Sequence, residues 1–150
     1  MQTKQISHAT RKRTHILIFE AGDKVVEMLQ SYVAQNDVRA ARFSAIGAFE
    51  SCLLAFFDWE TKDYENIPVK EQTEVLNLTG DIAWNDGEPV VHVHAVLGKR
   101  DGSAIGGHLK EARVRPTLEL FMEEDGALQR RHDPESGLPL IDPEAIRDDD

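Results

Sequence analysis

The chain has 150 residues, 41% of them hydrophobic and 29% charged, with a formal net charge of −10. That length suits one domain around one core, and the composition is that of a chain that folds. The acidity opposes a function resting on a broad basic face for nucleic acid, and no apolar run approaches the roughly 20 residues that span a bilayer.

Residues 1–13 are polar and without period, so 1–11 are expected to be flexible, or an arm that a partner orders. Basic residues occur there, but no apolar stretch of secretory-signal length follows them, which makes a cytoplasmic location the expectation. His15 to Phe19 is rich in β-formers and reads as the first strand. Asp23 is the expected N-cap of a helix running to about Asn36. Val25, Val26, Leu29, Tyr32 and Val33 give that helix one apolar face, which should lie on a sheet.

From Ala40 onward the pattern is mostly β. One strand is expected over Arg42 to Phe49 and another over Ser51 to Trp59, whose CLLAFF run is apolar on both faces and so should be central. Cys52 lies in that run. As the one cysteine it excludes an internal disulfide and reads as a buried, inert thiol. A short edge strand containing Pro68 should follow, then a strand over Glu74 to Ile82 and a turn at Asn85-Asp86-Gly87. Pro89 to Gly98 is the most informative strand. Lys99 to Gly102 turns the chain, Ile105 to Leu109 and Val114 to Met122 are further β segments, and Leu128 to His132 is the expected last strand. The proline-bearing end from Pro134, closing on Arg147-Asp148-Asp149-Asp150, reads as frayed. No repeat or second domain is visible.

Side chains alternate along a strand, so Val91, Val93, Ala95 and Leu97 share one face and His92, His94 and Val96 the other. Histidines two residues apart on a strand have Cα atoms about 6.5–7 Å apart, which suits two imidazoles meeting on one ion. His108 is the natural third ligand: a hairpin could return it beside the pair, and Gly106 and Gly107 permit close backbone approach. Three neutral imidazoles match a zinc site with one open position. Nickel, cobalt, iron or copper would also accept the set. Glu50, Asp101 and Glu111 are the candidate acceptors for the outward ring N–H groups. Spacing alone does not separate this set from ordinary strand histidines, and His8, His15 and His132 have no such company.

The segments GAFESCLLAFFDWETKDYENIPV, EVLNLTGDIA, PVVHVHAVLGKRDGSAIGGHL and LQRRHDPESGLPLI occur in this order. Together they closely resemble the bacterial and archaeal branch of the PPC family, the "plants and prokaryotes conserved" domain, whose members often carry a DNA-binding label. The resemblance covers about residues 12–141. It implies a single α/β domain of α+β type, with a largely antiparallel sheet and a packed helix, assembled as a homotrimer. It also implies a metal, with zinc the expected ion, on His92, His94 and His108. Plant members attach the domain to AT-hooks centred on Arg-Gly-Arg. Arg11-Lys12-Arg13 lacks that glycine, and Gln72-Thr73-Glu74-Val75-Leu76 stands where plant members have a run like Gly-Arg-Phe-Glu-Ile-Leu.

Four readings follow. The first is a trimeric metal-binding protein with a regulatory or DNA-associated role. The second is a metal-dependent enzyme acting on a small molecule, with Glu50 or Glu111 moving protons, although no further catalytic motif accompanies the histidines. The third is direct DNA binding through Arg11, Lys12, Arg13, Arg113 and Arg115, the last two expected to pair with carboxylates instead. The fourth is a structural trimer.

Overall fold

The computed structural model describes residues 2–9 and 12–142. Strands β1 (Gln2–Ala9) and β2 (Lys12–Glu20) lead into helix α1 (Val25–Gln35). Then come β3 (Ala41–Asp58), β4 (Asp63–Val69), β5 (Thr73–Asn85), β6 (Glu88–Gly98) and β7 (Ala104–Asp125), with β8 (Arg130–His132) and β9 (Pro139–Ile141) at the end. Seven strands form one sheet in the order β1-β2-β7-β6-β5-β3-β4. Every pairing is antiparallel, and β3 also pairs with β7, so β7, β6, β5 and β3 close on themselves. The sheet dominates. The expected α+β balance reduces to one helix packed on a large antiparallel array.

The helix forms where Val25, Leu29, Tyr32 and Val33 recur at helical spacing, and all four are buried. Its expected cap is different. Lys24 occupies the N-cap without a side-chain bond, while Asp23 accepts from the Glu20 backbone N–H at 3.0 Å. The free N–H groups of Val26 and Glu27 instead donate to the Glu111 carboxylate, at 3.0 and 3.2 Å. A strand residue thus supplies the negative charge that a helix N-terminus favours.

Residues 2–9, expected as a lead-in or arm, pair with β2 as β1. The break expected at Glu50 does not occur either: β3 runs 18 residues, bulged between Ala45 and Gly47, and switches partners along its length. Its first half pairs with β5 and its second half with β4, while β7 lies alongside both. The two expected segments after Gly102 likewise merge into the 22-residue β7. Bulges absorb the extra residues and bend the strands, so no turn is needed. Residues 139–141, expected to be frayed, pair with β8, whereas 143–150 lie outside the described residues.

Leu17, Phe19, Phe49, Leu54, Leu78, Ile82, Leu97, Leu109, Leu118, Leu120 and Met122 are fully buried in one core with the helix face. Cys52 is buried as expected, and burial pushes its thiol up to about 11, which keeps it protonated and unreactive. Gly47 has φ +153°, and a Cβ there would lie 2.3 Å from the Thr117 carbonyl oxygen. Because that neighbour is backbone in a paired strand, Gly47→Ala should cost about 3 kcal/mol. Urea denaturation checks this, and a loss below about 1 kcal/mol would show that the strands can part locally.

His15, expected to be ordinary, is buried. One ring nitrogen lies 2.8 Å from the Tyr32 hydroxyl and the other 3.2 Å from Glu124, whose carboxylate also takes Arg13. The network fastens β2 and β7 to the helix. Among the described residues no helix is long and apolar enough to cross a membrane.

Candidate metal centre

The positions of the three histidines follow from two hairpins. Asp86 and Gly87, both at positive φ (50° and 86°), make the two-residue turn that joins β5 to β6. Lys99 to Ser103 then join β6 to β7, closed by the Lys99 N–H donating to the Ser103 carbonyl at 2.8 Å. In the resulting register His94 lies opposite His108, and His92 lies opposite Asp81. Val93, Ala95 and Leu97 enter the core, so His92 and His94 face outward on the pleat.

The structure brings all three expected ligands together. Each offers a ring nitrogen, and these atoms lie within 4.8 Å of one another. Ring centroids are 5.0 Å apart for His92–His94, 5.4 Å for His92–His108 and 5.5 Å for His94–His108. His94 meets the other two rings edge-on (86° and 88°), while His92 and His108 are stacked at 28°. Three uncharged polar rings so placed gain little from each other, whereas a shared cation satisfies all three. His108 Nδ1 is buried and has no hydrogen-bond partner among the described residues, a cost that ligation through that nitrogen would remove. Burial, reinforced by positive charge on His92, His94 and Lys110, pushes the His108 ring down to about 4. Burial and then His92 lower His94 as well. Both rings are therefore neutral at pH 7, the form that binds metal. The donor set fits a divalent ion of the zinc type.

None of the three expected acceptors meets a ring. Asp101 accepts from Ser103, Glu111 caps the helix, and Glu50 pairs with Arg115 at 3.6 Å. The acceptor is Asp81, whose carboxylate lies 3.4 Å from His92 Nδ1 and takes Arg130 on its other oxygen. Burial alone would raise the Asp81 pKa. The His92 and Arg130 contacts outweigh it and hold the carboxyl below its ordinary range. With Nδ1 turned to Asp81, Nε2 of His92 is left for an ion. Tyr64 of β4 also borders the centre, its ring 4.9 Å from that of His108.

Of the basic residues weighed for nucleic acid, Arg13 pairs with Glu124 and Arg115 with Glu50, while Arg113 donates to the Gly22 carbonyl at 3.0 Å. Arg11 lies outside the described residues. Arg113 and Arg115 do not project as a free pair.

A family model described as the Plants and Prokaryotes Conserved domain matches residues 6–125. The chain belongs to that family. Among solved structures, a metal-containing protein from Archaeoglobus fulgidus is 33% identical, with a TM-score of 0.79 over 85% of this chain and 91% of its own. A plant- and prokaryote-conserved protein from Pyrococcus horikoshii is 26% identical, with a TM-score of 0.81 over 94% of each chain. A protein from Bacteroides thetaiotaomicron, named a "putative dna binding protein", is 28% identical, with a TM-score of 0.82 over 95% of this chain and 98% of its own. None of the curated proteins matches the chain.

Proposed function

We propose that this chain is a homotrimeric metal-binding member of the Plants and Prokaryotes Conserved family, with zinc on His92, His94 and His108 and a regulatory or DNA-associated role in the cytoplasm. The observation that carries the reading is the meeting of three ring nitrogens within 4.8 Å. The A. fulgidus relative, which is metal-containing, supports it. An ion bound there would supply positive charge and one open position. Asp81 would orient the His92 ring, and burial would keep His108 neutral and ready. Elemental analysis of the purified chain should find about one zinc per chain. Finding no ion, with none taken up when zinc is added, overturns the reading.

The trimer is supported by apolar surface. Ile46 (63% exposed), Leu76 (56%) and Phe121 (50%) neighbour one another across β3, β5 and β7, and Val96 adjoins Leu76 through Gly98. A contiguous apolar patch of this kind calls for a partner. Ile46→Asp with Phe121→Asp should convert the assembly to monomers in light scattering after size exclusion. An unchanged mass would mean that another surface holds it.

DNA association is supported by the name of the B. thetaiotaomicron relative. Against it stand the net charge and the engaged arginines. Retardation of duplex DNA at low salt that falls steeply as salt rises is the expected sign, and its absence at low salt removes this part of the role.

The alternative is a metal-dependent enzyme acting on a small molecule. One observation favours it: among the described residues no fourth His, Cys, Asp or Glu joins the three, which leaves a position for substrate or water.

A further inference from the structure

The surroundings of the three histidines are asymmetric. On the β5 side the charges cancel, since Asp81 sits between His92 and Arg130. On the β4 side they do not. Lys110 follows His108 by two residues on β7, so its side chain leaves the same face. Its ammonium lies 5.5 Å from the centre of the Tyr64 ring and has no carboxylate partner among the described residues. A positive charge held there without an anion is out of place in a chain of net charge −10.

Beside Lys110 stands an aromatic wall. The Tyr64 ring tilts 34° over that of His108, Phe57 packs edge-on to Tyr64 at 5.3 Å, and Trp59 follows at 6.4 Å from Phe57. Phe57 and Tyr64 are half-buried, and Trp59 is 51% exposed. Of the three, Tyr64 touches His108 directly and Phe57 touches Tyr64, whereas Trp59 lies in the turn after β3 with the Lys62 ammonium 3.1 Å from its ring centre.

We propose that the metal centre takes a small carboxylate with an apolar or aromatic body. The carboxylate meets the open coordination position and the Lys110 ammonium together, and the body lies along Tyr64 and Phe57. The proposal rests on the metal reading above and adds the class of ligand. An ion held by three neutral imidazoles keeps its full positive charge, and a carboxylate oxygen is a suitable further ligand. Lys110 supplies a second, movable charge at the rim, and the aromatic wall prefers an anion with apolar area over a bare one. Binding would exchange a solvent ligand of the ion for a carboxylate oxygen and form one ion pair with Lys110, and no covalent bond of the ligand is broken.

The test uses the full chain loaded with cobalt(II), whose visible bands report its ligands directly. Benzoate and acetate are titrated separately, with benzyl alcohol as the uncharged control. The expected result is a saturable band shift with benzoate, a weaker affinity for acetate, and no shift with benzyl alcohol. Lys110→Gln should weaken benzoate by about tenfold, the loss of one charge-assisted contact. Tyr64→Ala should narrow the preference for benzoate over acetate. Neither substitution should change the cobalt content. Cobalt that binds but whose spectrum ignores both anions overturns the proposal and leaves the metal reading intact. So does benzoate binding indifferent to both substitutions. Failure to take up cobalt overturns both.

Discussion

His108→Ala is expected to abolish stoichiometric zinc binding while the protein remains folded. Structural zinc sites gather roughly 10–16 kcal/mol from about four ligands, so one lost imidazole, at about 3 kcal/mol, weakens binding by more than about a hundredfold. The fold should survive because the ring faces away from the core that Leu109 enters. The substitution also removes a buried nitrogen that has no partner, so the metal-free variant should lose no stability through lost hydrogen bonds. Asp81→Asn is the informative contrast. It keeps all three ligands but weakens the hold on the His92 ring, and should reduce affinity by only about tenfold to a hundredfold. Competition with a chromophoric chelator measures both. Equal losses in the two variants would mean that His108 is no ligand, and unchanged zinc in His108→Ala would sink the three-histidine centre.

Acid should release the ion later than three ordinary histidines would allow. An imidazole of ordinary pKa near 6.5 imposes about a hundredfold proton penalty on metal binding at pH 4.5. His108, held down to about 4, imposes almost none there, and His94 is shifted the same way. The apparent affinity should therefore fall with a slope shallower than three protons per ion as pH drops from 6.5 to 4.5. The same lowered pKa costs the metal-free fold stability in acid. Its unfolded chain takes up protons on His108 below pH 6.5 while the folded chain does not, so stability falls as pH falls from 6.5 towards 4. Zinc affinity and thermal midpoint, each followed against pH, separate the two effects. A slope of three throughout would show that the rings titrate as free imidazoles.

Much of this three-histidine cluster is legible in the sequence. Alternation along Pro89 to Gly98 places His92 and His94 on one face, and the core side of β6 is apolar as that pattern requires. The glycine-flanked return of His108 also stands, since the β6–β7 hairpin sets it opposite His94. Asp81 is not among the expected acceptors, although the sequence carries its signal. The turn at Asp86-Gly87 pairs Asn85 with Glu88, and equal steps back along both strands reach Asp81 opposite His92. Hairpin register leads to it, whereas Glu50, Asp101 and Glu111 have their own partners and meet no ring. Tyr64 carried no comparable signal, because its approach depends on β4 joining the second half of β3. The long strands were misread for a related reason. Glu50 and the polar run Lys110 to Arg113 look like breaks in isolation, and only the neighbouring strands show that β3 and β7 continue through them. Likewise, the polar stretch before His15 gives no hint that its backbone adds an outer strand to β2.

Asp81 also joins the three-histidine cluster to the β8–β9 ribbon. Its second oxygen anchors Arg130, whose guanidinium donates onward to the Pro139 carbonyl at 2.9 Å, so one carboxylate steadies both the His92 ring and the β8–β9 ribbon. Damage to that ribbon would be felt as a loosened grip on the cation, even though no residue of the ribbon is among the three histidines.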